Sequence, residues 1–188
     1  MLGELISEDS VIDGKSVPKG SLYIKDTAYR NGKGREIFIT RVRGYIKDIW
    51  GDFVYMPDVW EGFIYHNGKY SDLCNIYEDF EIIECCITTI IDYIKTYQTE
   101  FYQSIEDDFI IQYNYLTNTW GEGDVNLIDL LVCTIMDNVR LLDVDYQQDT
   151  GISAKELGKL LLEYFKADEY KYADKIAENM VARHEYIS

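Results

Sequence analysis

"NIYEDFEIIECCITTIIDYIK", residues 75–95, decides how the chain is divided. Before this stretch, apolar residues come in short runs between turn signals. Within it, Phe80, Ile83, Ile87, Ile90, Ile91 and Ile94 recur every three or four residues, which is the spacing of one buried helix face. The period changes near Asn75, so residues 1–75 read as an antiparallel β-rich part and 76–188 as an acidic helical part, joined as two parts or as one compact unit.

Upstream, turn signals stand at "RNGKG" (30–34), "WGD" (50–52), "MPD" (56–58) and "HNG" (66–68). Asn-Gly supplies the two positive-φ positions of a type I′ turn, which marks Asn31-Gly32 and Asn67-Gly68 as hairpin positions. The runs between them, "SLYIKD", "EIFITRVRGYIKDIW", "DFVYM" and "GFIYH", are rich in β-branched and aromatic residues. They predict a meander of five or six short strands over 20–73. So small a sheet removes its edges by curling into a barrel or by packing on helices.

Downstream, Phe101, Ile105, Phe109 and Leu116 continue the helical spacing to about Thr117, and Gly121 with Gly123 breaks it. Asp124 is placed to cap a third helix, whose stripe of Ile128, Leu131, Ile135, Val139 and Leu142 is widened by Leu127, Val132 and Met136. Ser153 and Glu156 form a capping box, flanked by Ile152 and Leu157, for a fourth helix. A fifth starts near Asp168. The expected fold is α+β: an N-terminal antiparallel β-meander or small barrel followed by a C-terminal bundle of four or five helices.

The chain has 188 residues and a net charge of -16, and the excess is concentrated. Residues 1–70 hold ten acids and ten bases, whereas 71–149 hold seventeen acids against Lys95 and Arg140 alone. Such self-repulsion opposes compactness, so solubility by itself does not call for it. Glu81, Glu84, Thr88 and Asp92 are spaced three, four and four and line one stripe of the first helix. Glu100, Glu106, Asp107, Asp108, Glu122, Asp124, Asp129 and Asp137 follow before the next basic residue. Helical acids one or two turns apart stand roughly 5–11 Å from each other, a sparser version of the charge spacing along a duplex. Rows of them on packed helices can imitate a phosphate surface. These eleven acids are the candidate partner-binding residues. The competing reading is a solvated acidic face that only keeps the protein in solution.

Residues 145–157, "DYQQDTGISAKEL", resemble an EF-hand calcium loop and its exit helix. The resemblance puts Asp145, Gln147, Asp149, Ser153 and Glu156 at side-chain ligand positions and Gly151 at the carbonyl position. Thr150 stands where the family has its sharp-turn glycine and Gln147 replaces a carboxylate. The expectation is that the loop holds no calcium at ordinary concentrations, with Ser153 and Glu156 serving as a helix cap.

Cys74, Cys85, Cys86 and Cys133 lack CxxC spacing and are expected to be reduced, and His66 and His184 are expected at the surface. No Walker A, GxSxG or HExxH motif occurs, so neither an enzyme nor a cofactor is expected, and no catalytic or metal site. The amino-terminal "MLGELISEDS" has acids where a secretory signal carries positive charge, and the longest apolar runs fall short of the roughly 20 residues of a membrane span. A cytoplasmic protein with no membrane contact is expected.

The composition resembles, as an analogy of charge alone, acidic proteins that phages and other mobile genetic elements use against restriction or CRISPR nucleases. The function expected is therefore a non-enzymatic inhibitor, of anti-CRISPR or anti-restriction type. It would imitate nucleic acid and block the basic groove of a DNA- or RNA-binding enzyme, without touching nucleic acid itself. The alternative is a scaffolding or regulatory module that binds a protein through its β-sheet, the acids serving solubility only.

Overall fold

A computed structural model describes residues 1–12, 14–47, 53–66, 69–73, 79–142 and 151–187. They form an α+β fold, an N-terminal antiparallel sheet followed by a bundle of five helices. Contacts divide the chain into two compact units, Met1–Cys86 and Ile87–Ser188.

In the first unit, β1 (Leu2–Leu5), β4 (Leu22–Asp26), β5 (Arg35–Lys47), β6 (Phe53–His66) and β7 (Lys69–Leu73) make one sheet in the order β1-β4-β5-β6-β7. The last four follow chain order, as a meander does. β1 and β7 stand at opposite edges, so among the described residues the sheet is open, without barrel closure. β2 (Ser10–Ile12) and β3 (Lys15–Val17) pair separately as a small hairpin. Strands therefore begin well before residue 20. The hairpin supplies Val17 and Ile12 to a cluster with Ile6, Tyr23 and Phe38, which covers one face of the sheet. Alternation along β4 and β5 sends Leu22, Ile24, Ile37 and Ile39 to the other face, all fully buried.

Two turn signals have different outcomes from those expected. Asn31-Gly32 lies in a single helical turn, α1 (Tyr29–Gly32), within a longer β4–β5 connection; Arg30 and Gly32 take positive φ of 48° and 87° there. "MPD" at 56–58 is no turn, since β6 runs straight through it and the β5–β6 register shifts between Val42 and Gly44. Pro57 cannot donate to the ladder, and a bulge lets the strand continue past it. Asn67 and Gly68 lie outside the described residues, although the His66↔Lys69 pair flanks a two-residue connection.

Pairing also settles two polar side chains. Asp26 faces Arg35, whose Nε donates to Asp26 Oδ2 at 2.9 Å. Tyr23 donates to Glu36 Oε1 at 2.6 Å.

The helices are α2 (Phe80–Tyr97), α3 (Thr99–Trp120), α4 (Leu127–Leu141), α5 (Ala154–Ala167) and α6 (Lys171–Ile187). Their boundaries follow local chemistry. α2 buries Ile82, Ile83, Cys86, Ile87, Ile90, Ile91 and Ile94; Ile82 and Cys86 join the apolar stripe of the sequence, while Phe80, expected on it, is exposed at the first turn of the helix. α3 ends at Gly121, whose φ of 97° suits glycine. Asn126, and not Asp124, caps α4: its Oδ1 accepts from the backbone N–H of Ile128 and Asp129, while Asp124 belongs to a preceding 3-10 turn, Glu122–Asp124. Ser153 and Glu156 form the expected capping box at α5. α6 is introduced by Asp168, whose Oδ2 accepts from Tyr172 N at 2.9 Å.

α4 is the hub of the second unit and packs on α3, α5 and α6. It buries Leu131, Ile135 and Val139 as the stripe requires. One flank of the stripe is taken by Thr134 and Asn138, and Met136, expected inside, is 54% exposed. Gly158 of α5 lies where α3 and α4 meet, with room for no side chain: a Cβ there would stand 3.1 Å from Phe101 Cζ and closer still to Val139. None of the helices among the described residues is long and apolar enough to cross a membrane.

Candidate functional site

The antiparallel pair α3–α4 carries most of the candidate acids. The connection Gly121–Asn126 turns the chain back, and Asn138 Nδ2 of α4 donates to Asp108 Oδ2 of α3 at 2.9 Å, which marks the seam. On α3 the core stripe is Phe101, Ile105 and Phe109. Its solvent side, one helical face away, presents Glu100, Asp107, Asp108, Ile111 and Tyr115, all exposed. On α4 the exposed side holds Asp129, Cys133, Met136, Asp137 and Arg140.

The acids differ in their local engagement. Asp107 accepts from Gln103 Nε2 at 2.9 Å one turn earlier, and Asp129 from Asn126 Nδ2 at 2.8 Å within the cap. Asp137 lies 3.2 Å from Arg140, an exposed pair of the kind that contributes little. Glu106 is half-buried on another flank of α3 and receives Arg183 Nη2 of α6 at 2.5 Å. The structure thus separates Glu106 from the solvent face, because a cation 77 residues away in sequence reaches it. Asp124 is exposed in the 3-10 turn, and the side chain of Glu122 lies outside the described residues. On α2, Glu81, Glu84 and Asp92 are exposed along a single stripe, as their spacing requires.

What the charge pattern alone misses is the apolar component. Ile111 is 63% and Tyr115 66% exposed, four residues apart on the same face as Asp107 and Asp108. Met136 is exposed on α4 one residue from Asp137, and Trp120 is exposed at the end of α3. Their signal was present in the chain: Ile111 and Tyr115 fall off the Phe101–Ile105–Phe109 period. Large apolar side chains set among carboxylates add contact area that solvation does not require.

A separate groove of about 610 Å³ runs between α2, α3 and α6. Ile91, Tyr102, Tyr172 and Ile176 make it mainly apolar. Lys95 Nζ stands 4.9 Å from the centre of the Tyr102 ring, and the Thr88 and Tyr172 hydroxyls are 3.0 Å apart. The Arg183 guanidinium donates to the Tyr102 hydroxyl oxygen, and this bond, reinforced by Glu106, holds it more firmly protonated than usual and fixes one wall.

No group of three or more His, Cys, Asp or Glu side chains among the described residues is arranged to hold a metal ion. Residues 143–150, which include the first half of the EF-hand-like loop 145–156, lie outside the described residues. Glu156 is engaged at the start of α5, where its Oε2 accepts from the Ser153 N–H at 3.3 Å. Cys133 is exposed on α4 and Cys86 buried on α2, and neither forms a disulfide.

No protein-family model, curated protein or solved structure matches the chain.

Proposed function

We propose that the protein is a non-enzymatic binding protein whose α3–α4 face docks on the basic surface of a nucleic-acid-binding enzyme and competes there with DNA or RNA. The observation that carries this reading is the composition of that face: Glu100, Asp107, Asp108, Asp129 and Asp137 exposed around Ile111, Tyr115 and Met136, with Arg140 as its one base among the described residues of α3 and α4. Carboxylates supply long-range attraction to lysine and arginine. The apolar side chains supply short-range contact that a purely solvated face has no use for. Inhibition of a restriction or CRISPR nuclease is the biological setting that suits such a surface.

Local engagement selects the variants. Asp108 and Asp129 hold the α3–α4 seam and the α4 cap, so Glu100→Gln, Asp107→Asn and Asp137→Asn are the informative changes. Binding to a panel of nucleic-acid-binding proteins should weaken steeply with salt, and the triple variant should associate more slowly at low salt while keeping its circular dichroism spectrum. Ile111→Ala with Tyr115→Ala should instead speed dissociation. Unchanged association of the triple variant at low salt assigns those acids to solvation and moves the binding face to the β-sheet.

A further inference from the structure

The groove between α2, α3 and α6 is built wholly within the unit Ile87–Ser188. α2 contributes Thr88, Ile91, Asp92 and Lys95, whose spacing places them on one helix face. α6 contributes Tyr172, Ile176, Asn179 and Arg183 at the same kind of spacing, and α3 contributes Tyr102. The hydroxyls of Thr88 and Tyr172, 3.0 Å apart, mark one end. Lys95 stands two turns further along α2, about 10 Å away. Between the two ends lie Ile91, buried, and Ile176, half-buried.

The second end holds two cations in different states. Arg183 is already matched: Nη2 lies 2.5 Å from Glu106 Oε1, and the guanidinium also donates to the Tyr102 hydroxyl. Lys95 is not. Its Nζ stands 4.9 Å from the centre of the Tyr102 ring and makes neither an ion pair nor a hydrogen bond among the described residues. An ammonium has three N–H donors, and a ring face satisfies none of them as an oxygen would. This is one of only two bases among the seventeen acids of residues 71–149, so a carboxylate partner would be easy to supply. Asp92, one turn earlier on the same face of α2, is not paired with it; the ammonium lies against Tyr102 of α3 instead.

We propose that this groove binds a small amphipathic carboxylate, its head on Lys95 and its apolar body laid over Ile91 and Ile176 towards the Thr88–Tyr172 end. A volume of about 610 Å³, mainly apolar with a few convergent polar groups, suits a small ligand. One unmatched cation answers one negative charge. Asp92 and Glu106 stand against a dianion such as a phosphate monoester, which is why the carboxylate is the favoured head. Asn179, exposed on α6, adds an amide donor, and Tyr186 and Ile187, exposed in the last turn of α6, offer further apolar surface along the groove. The site uses the Tyr102 and Glu106 side of α3 and is independent of the acidic face that carries Asp107 and Asp108.

The test is isothermal titration calorimetry of the full chain with decanoate, below its micelle concentration, beside decanol and decylammonium. Decanoate should bind the parent more tightly than either. Lys95→Gln should weaken decanoate at least about tenfold, the scale of one charge-assisted hydrogen bond, and leave decanol unchanged. Asp92→Asn should tighten decanoate, because it removes the opposing charge beside the head. Ala182→Trp, which fills the groove from an exposed position, should weaken both ligands, with circular dichroism confirming the fold of each variant. In methyl NMR, decanoate should shift Ile91 and Ile176 and leave Ile111 in place. Glu100→Gln/Asp107→Asn/Asp137→Asn should bind decanoate no less tightly than the parent, which separates this site from the acidic face. No decanoate binding by the parent, decanol bound as tightly as decanoate, equal decanoate binding by Lys95→Gln, or shifts centred on Ile111 overturns the proposal.

Discussion

Tyr23 shows how a pairing register tunes a single group. Register sets it diagonally across β4–β5 from Glu36, and burial first, then the bond to Glu36 and the nearby negative charges of Glu36 and Glu4, push its hydroxyl up to about 12 from 10.0. In NMR of ring-labelled tyrosine, the Tyr23 resonance should titrate near 12, well above the ordinary 10.0. Since the folded value is raised, the stability tied to this proton is complete below about pH 10 and is lost as pH rises through about 12. Glu36→Gln should lower the titration without returning it to 10.0, because burial is the larger cause. A Tyr23 resonance that titrates at the ordinary 10.0 rules this account out. Asp168 obeys the same sign at the other end of the scale: burial raises its carboxyl above the ordinary 3.8, against the pull of the Tyr172 N–H, Lys171 and Lys175.

At the level of elements, the meeting of α3, α4 and α5 is set by one missing side chain. Alanine normally improves a helix interior over glycine by about 1 kcal/mol. At Gly158 the new Cβ would collide with Val139 Cγ2 on α4 and press on Phe101 of α3. Overpacking of this kind costs about 1–3 kcal/mol, so Gly158→Ala should destabilise on balance and lower the melting temperature. Gly158→Ala with Val139→Ala should recover part of the loss, as a thermal-unfolding double-mutant cycle would report. A single variant more stable than the parent would mean that the three helices shift apart easily. The helix periods around Gly158 were legible in the chain, but the need for glycine was not. A close approach depends on where two other helices pass, and no spacing within α5 encodes that.

For the whole molecule, the concentrated charge sets how stability responds to ionic strength. Seventeen acids against two bases in residues 71–149 repel one another in the folded state. Moderate salt should therefore raise the melting temperature, most steeply below about 0.1 M, where the screening length is still about 10 Å or more. Glu100→Gln/Asp107→Asn/Asp137→Asn should show a shallower salt dependence and equal or slightly higher stability in low salt. A melting temperature that falls as salt is added would show that attractive pairs, such as Glu106 with Arg183, outweigh the repulsion. That pair also bears on reading the site from sequence. The gap without bases between Lys95 and Arg140 suggested that every acid in it stands unneutralised, yet Arg183 of α6 folds back onto one of them.

The switch of hydrophobic period near Asn75 was enough to determine an α+β chain with strands first and helices after, because side-chain spacing reports the local backbone directly. The capping box of Ser153 and Glu156, the α3 break at Gly121 and the stripe of α2 are local in the same sense. Tertiary structure alone decided that β6 passes through Pro57 as a bulge, that the sheet among the described residues stays open, that Glu106 leaves the acidic face, and that Met136 remains outside. Each of these depends on which distant residue arrives opposite, and that is settled by packing and strand register across the fold, beyond the few residues over which a sequence period acts.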